Sequence, residues 1–112
     1  MIGEIVRGGL YFADLPGVGD KRVLVVSWNA INDGLRSPIV CLVTATQRAR
    51  SLPTDVSVSA GEAGMIEDSW ILCHEIATLD AERFRREIGV LPPPLLVQVE
   101  TALRRALDLP QP

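Results

Sequence analysis

Two stretches of the chain carry no polar interruption: Val23-Leu-Val-Val26 and Ile39-Val-Cys-Leu-Val43. Short continuous apolar runs bounded by polar or turn residues predict strands buried on both faces. Gly9-Leu-Tyr-Phe-Ala13, with β-favouring aromatics ahead of Asp14, predicts a strand before them. Asp55-Val-Ser-Val-Ser59 alternates valine with polar residues and predicts a half-exposed strand. Ser69-Trp-Ile-Leu-Cys73 predicts another buried strand continuing through His74, Glu75 and Ile76, and Ile88-Gly-Val90 a last short one. The segments between them carry turn chemistry: Pro16, Gly17 and Gly19 before Lys21, Asn32-Asp33-Gly34 closing a turn from Asn29, and Gly61 and Gly64 beyond Ala60. Asp80 is placed to cap a short helix through Ala81–Phe84.

The end of the chain changes period. Pro92, Pro93 and Pro94 suit the first turn of a helix, where the missing N–H groups have no helical partner anyway. Behind them Leu95, Val99, Ala102, Leu103, Ala106 and Leu107 fall on one helical face, and Glu100 and Arg104 stand four apart for an exposed ion pair. Close-spaced short strands followed by one helix predict a mainly β fold, a small antiparallel barrel with a C-terminal helix packed on it.

At 112 residues, 47% hydrophobic and 22% charged, the chain is expected to form a single globular domain over 1–112. No apolar run approaches the ~18 residues of a membrane span. No basic start with an apolar core marks a secretion signal, so a cytoplasmic protein without membrane attachment is expected. Cys41 and Cys73 lie inside apolar runs and read as buried, reduced thiols. With one histidine and no Cys-x-x-Cys pair, no metal site is expected. The net charge of −3 hides an asymmetry: residues 1–50 carry six Lys/Arg against four Asp/Glu, and residues 51–112 five against ten. A polyanion would therefore meet the N-terminal half.

Familiar catalytic patterns are missing. There is no Gly-x-Ser-x-Gly elbow, no P-loop and no dinucleotide fingerprint, and one histidine excludes a two-histidine ribonuclease. One reaction remains open without cofactor or histidine pair. RNA carries its own nucleophile, the 2′-hydroxyl, beside each phosphate, and the protein must align it and neutralise charge on phosphorus. A guanidinium fork supplies two aligned donors to phosphate oxygens and a threonine hydroxyl a third. Arg22 begins one buried run and Thr44 ends the next, so these are the candidate pair, each with a plain alternative as a strand-end residue. Lys21, Arg48 and Arg50 are candidates for phosphates away from the cut. Trp28 and Trp70 flank apolar runs and are expected in the core or in dimer packing before base stacking.

Several short motifs follow one another along the chain: Arg7-Gly-Gly-Leu-Tyr-Phe-Ala-Asp-Leu15, Lys21-Arg-Val-Leu-Val-Val-Ser27 with Asn32 beyond it, Val43-Thr-Ala45, Leu52-Pro-Thr54, Asp68-Ser69, Ile76-Ala-Thr-Leu-Asp80 and the tail from Leu91-Pro-Pro to Leu109. Their order resembles the MazF/PemK family of toxin endoribonucleases. The resemblance implies an SH3-like barrel and a homodimer holding single-stranded RNA in a groove. It implies metal-free cleavage to a 2′,3′-cyclic phosphate and a 5′-hydroxyl, with no cofactor. It also implies inhibition by a cognate antitoxin whose acidic tail covers the same groove. Its catalytic arginine and threonine fall on Arg22, which clamps and helps protonate, and Thr44, which steadies the phosphorane. Asn32, Leu52, Pro53, Ser69, His74 and Glu75 become substrate-contact candidates beside Lys21, Arg48 and Arg50. Adjacent strand residues point oppositely, so His74 and Glu75 share a face only across a bulge.

The sequence departs from the family at Val23, Gly9, Ala77, the His74-Glu75 pair and the short Pro16–Lys21 loop. Two other readings therefore stay open: a degenerate toxin that binds its antitoxin without cutting, and a non-enzymatic gyrase inhibitor resembling the CcdB toxins. The ending Asp108–Pro112 lacks the aromatic finish expected of the latter.

Overall fold

A computed structural model of the chain describes residues 2–46 and 52–111. Six strands form one antiparallel sheet: β1 Gly9–Leu15, β2 Gly19–Val25, β3 Ile39–Thr44, β4 Asp55–Val58, β5 Ser69–Thr78 and β6 Phe84–Val90. Their spatial order is β4-β5-β3-β2-β1-β6. A helix α1, Asn29–Gly34, links β2 to β3, and a long helix α2, Pro93–Ala106, follows the sheet. The expected small antiparallel barrel with a C-terminal helix is what forms.

The continuous apolar runs are explained by two cores, one on each face of the sheet. Leu10, Leu24, Cys41, Val43, Val56, Ile71 and Cys73 pack against Leu95, Val99 and Ala102 of α2. Tyr11, Ala13, Val23, Val25 and Val40 meet Ile5, Leu79, Ala81 and Phe84 on the other side. Val23, Leu24 and Val25 alternate between these cores, and all three are at 0% exposure. Tyr11 and Phe84 meet edge to face at 5.3 Å, a favoured aromatic geometry.

The two edge strands are linked by a close backbone contact. The turn after β4 reaches β6 so closely that a Cβ on Gly64 would sit 2.3 Å from the Ile88 carbonyl oxygen. A Cβ on Gly89 would sit 2.2 Å from that of Ala63. Only hydrogen at both positions allows this contact.

Several expected boundaries move. Asn29–Gly34 is a short helix and not a turn, because Asn32 is drawn inward instead of ending the segment. The Asp80 side chain makes no capping hydrogen bond; a single 3₁₀ turn, Ala81–Arg83, leads directly into β6, which has 7 residues and begins four residues before the predicted Ile88–Val90. Glu100 does not need Arg104: Arg7 Nη2 reaches its Oε2 at 2.7 Å, tying the first residues to α2. Trp28, expected in packing, is 71% exposed at the start of α1 and lies outside the core of this chain, whereas Trp70 is half-buried in β5. Cys41 and Cys73 are buried free thiols as expected. Among the described residues no helix is long and apolar enough to cross a membrane.

Candidate active site

Strand register determines which of the candidate residues meet. Arg22 lies opposite Val43, so Thr44 is one residue beyond its cross-strand partner, at the end of β3. Both border an open depression of about 260 Å³, together with Phe12, Asp20, Lys21, Val43, Ala45 and Thr46. The hairpin between β1 and β2 supplies Asp20 and Lys21, and the chain leaving β3 supplies Ala45 and Thr46.

Arg22 is held from behind. Its Nη1 donates to Ser69 Oγ at 2.7 Å and approaches Met65 Sδ at 3.3 Å. Ser69, at 0% exposure, donates in turn to the Glu67 carbonyl at 3.0 Å. One edge of the guanidinium is thus fixed on a neutral hydroxyl. Among the described residues no carboxylate forms an ion pair with Arg22, and Asp20 is the one carboxylate among the described residues of the same depression. The Thr44 hydroxyl accepts the Thr46 N–H at 3.1 Å, which leaves its own proton to donate. Lys21 is exposed on the same rim. Two cations and a hydroxyl donor around an open hollow form a site for an anion with several oxygens.

The remaining candidates separate from this hollow. Asn32 is at 2% exposure and bonds to Ser27: its Oδ1 accepts from the Ser27 hydroxyl and its Nδ2 donates to the Ser27 carbonyl at 3.2 Å. Ser27 Oγ also accepts the Ile39 N–H at 2.9 Å, so Asn32 joins β2, α1 and β3 instead of facing substrate. Pro53 borders a different groove, between β4 and α2, with Val97, Gln98 and Thr101. Leu52 is half-buried, its N–H donating to Asp55 Oδ2 at 3.0 Å. Arg48 and Arg50 lie outside the described residues. Ser69 joins the site as the support of Arg22 and not as a surface contact.

His74 and Glu75 occur at a bulge. Cys41 pairs with Ile76 and Leu42 with Leu72, so Cys73, His74 and Glu75 are extra residues on β5. The bulge brings His74 Nε2 to 3.8 Å from Glu75 Oε2, on one side of the strand, as adjacent residues of a regular strand could not be. His74 Nδ1 lies 3.0 Å from Thr54 Oγ1 and 4.0 Å from Asp55 Oδ1. Neither residue borders the Arg22 depression.

The site also holds residues the sequence reading passed over. Phe12 pairs with Arg22 on one side and Arg86 on the other, and the Arg86 guanidinium lies 4.5 Å over its ring. The available signal was the alternation of β1: with Tyr11 inward, Phe12 faces the other way, beside Arg22. Among the described residues no three His, Cys, Asp or Glu side chains gather as a metal site.

A family model described as PemK-like, MazF-like toxin of type II toxin-antitoxin system matches residues 6–107. The chain belongs to the PemK/MazF toxin family. This MazF-like chain is 35% identical over 111 residues to Endoribonuclease EndoA of Bacillus subtilis strain 168, covering 94% of this chain and 96% of the relative. A solved endoribonuclease from a mycobacterial species superposes with a TM-score of 0.84 at 28% identity, covering 100% of this chain and 99% of that one. A second, an endoribonuclease in complex with its cognate antitoxin, also mycobacterial, gives 0.84 at 30% identity over 96% and 99%.

Proposed function

We propose that this PemK/MazF-type toxin is an endoribonuclease that cleaves single-stranded RNA without a metal, using the 2′-hydroxyl of the substrate as nucleophile. The observation that carries the reading is the Arg22 guanidinium, braced by Ser69 and ion-paired with no described carboxylate, on the rim it shares with Asp20, Lys21 and Thr44. Arg22 donates to the non-bridging phosphate oxygens, where negative charge grows as the 2′-oxygen bonds to phosphorus. Thr44 donates to the same group and Lys21 holds a neighbouring phosphate. The bond to the 5′-oxygen breaks, leaving a 2′,3′-cyclic phosphate and a 5′-hydroxyl. A guanidinium keeps its proton at any pH relevant here. Arg22 therefore assists the leaving oxygen as a hydrogen-bond donor, while solvent accepts the 2′-hydroxyl proton and returns one to the 5′-oxygen. Without a tuned acid or base, turnover is modest.

The same basic rim fits a cognate antitoxin with an acidic C-terminal tail, and a homodimer would extend the groove across two copies in the cytoplasm. The test is cleavage of long single-stranded RNA in EDTA by the wild-type chain and by Arg22→Ala, with mapping of 5′-hydroxyl ends. Arg22→Ala is expected to lose at least about 100-fold in rate with the fold intact. A wild-type chain inert in EDTA, or an Arg22→Ala protein that cuts normally, would refute the reading. Inert protein that still binds an antitoxin would identify a toxin that no longer cuts.

A further inference from the structure

A second hollow adjoins the first. It measures about 170 Å³ and is lined by Phe12, Arg22, Gly64, Met65, Ile66, Arg86 and Ile88. Phe12 and Arg22 border both hollows, so a nucleotide with its phosphate in one has its base within reach of the other. Its walls are apolar: a thioether and two isoleucines, one of them, Ile66, 92% exposed at the rim. The close backbone contact at Gly64 and Gly89 holds the turn before Met65 and Ile66 against β6, which makes the wall continuous.

Arg86 is the distinctive group. Of the arginines at the start of β6, Arg83 and Arg85 share Asp14 at 3.1 and 3.5 Å. Arg86 has no carboxylate partner among the described residues; its guanidinium carbon stands 4.5 Å from the centre of the Phe12 ring. That cation–π contact holds the guanidinium at the hollow, with N–H donors to spare. Apolar walls, a planar cation and donor groups directly beside a phosphate site fit a nucleobase.

We infer that this hollow binds the base of the nucleotide flanking the cut and that Arg86 selects a keto base, guanine or uracil, at that position. The inference rests on the RNA-cleavage reading for its substrate. The side chains lining the hollow offer donors, from Arg22 and Arg86, and no carboxylate or hydroxyl acceptor. Guanine presents O6 and N7, and uracil O4, as acceptors to such a fork. Adenine and cytosine bring an amino donor that finds no side-chain acceptor here, and losing its water without a replacement partner is penalised.

The experiment has two arms. Sequencing of 5′-hydroxyl ends from a randomised single-stranded RNA pool compares the wild type with Arg86→Ala and Arg86→Lys. The wild type is expected to favour G or U by about tenfold or more at one position flanking the cut, and both variants to flatten that position alone. The second arm reads binding of short oligonucleotides with one 2′-deoxy sugar at the cut site, which cannot be cleaved, differing only in the flanking base. Loss of keto preference in Arg86→Ala there supports the subsite even if the wild-type chain cuts nothing, a result that would sink the cleavage reading alone. Unchanged preference at every flanking position in Arg86→Ala, or a wild type that favours A or C there, overturns the subsite while leaving cleavage standing. Thermal melts of the variants check that their folds match.

Discussion

Ser69→Ala separates the positioning of Arg22 from the charge of Arg22. The substitution removes one hydroxyl from a fully buried site, and alanine fits the space with no new contact. It removes the 2.7 Å acceptor of Arg22 Nη1 and the donor to the Glu67 carbonyl. A hydrogen bond to a charged group contributes about 1.5–3 kcal/mol. Arg22 is only half-buried, so water replaces part of that, and the expected loss of stability is about 1 kcal/mol, or about 4 °C in Tm. For a domain stable by ~5 kcal/mol or more, such a loss leaves essentially every molecule folded at 25 °C. Any fall in rate must then come from the site. A guanidinium free to swing by about 1 Å is expected to lower kcat by about 10- to 100-fold, equivalent to about 1.4–2.7 kcal/mol. KM for RNA should stay within about twofold, because the positive charge that attracts phosphate is still present. Initial rates on a fluorogenic single-stranded RNA, with a melting curve of the same sample, measure both quantities. A variant that melts lower yet keeps kcat within about twofold of wild type would show that Ser69 merely fills space, and the account of Arg22 as a braced donor would fall with it.

Lys21→Ala should show the opposite split. KM rises, kcat holds, and the slope of log affinity against log salt falls by about one, since one phosphate contact is gone; an unchanged slope places Lys21 away from RNA. Gly64→Ala should destabilise by more than about 2 kcal/mol in urea unfolding, because φ is +81° and the new Cβ would stand 2.3 Å from the Ile88 carbonyl oxygen; a loss under about 0.5 kcal/mol contradicts the close contact. Stability should decline at alkaline pH. Burial raises the Tyr11 phenol, whose hydroxyl donates to the Glu4 carbonyl. The unfolded chain releases this proton near the ordinary value of about 10 while the folded chain keeps it, so the contribution is complete below about pH 9 and is lost progressively above it. Urea midpoints between about pH 8 and 11 should fall, less steeply in Tyr11→Phe; a flat profile refutes this.

The parts of this fold legible in the sequence were those set by burial. Val23–Val26 and Ile39–Val43 read as strands because both sheet faces are covered, and Pro92–Pro94 ahead of the Leu95-Val99-Ala102 stripe left only a helix to form. Arg22 and Thr44 were legible as two strand ends, but it took the pairing of Arg22 with Val43 and the shape of the surface there to bring both to the rim of one hollow. What escaped depended on partners distant in the chain. Asn32 carries the chemistry of a turn or a ligand contact, yet Ser27 five residues earlier draws it inward and makes a helical turn of Asn29–Gly34. Arg86 sits in a charged run that reads as surface until β6 is found pairing with β1, which sets it on Phe12 and leaves Asp14 to its neighbours.

His74 and Glu75 mark the limit of inference by alternation. A regular β5 would have pointed them apart, and the bulge opposite Cys41–Leu42 turns both to one side, with His74 against Thr54 and Asp55 of the neighbouring edge. That cluster stands apart from the Arg22 depression, because β5 presents Ser69 to Arg22 at one end and the bulge five residues further on. Chemistry and any contact made by His74 are therefore separable by mutation: His74→Ala should leave the cleavage of a minimal RNA unchanged, and a loss of kcat on such a substrate would require the two regions to work as one site.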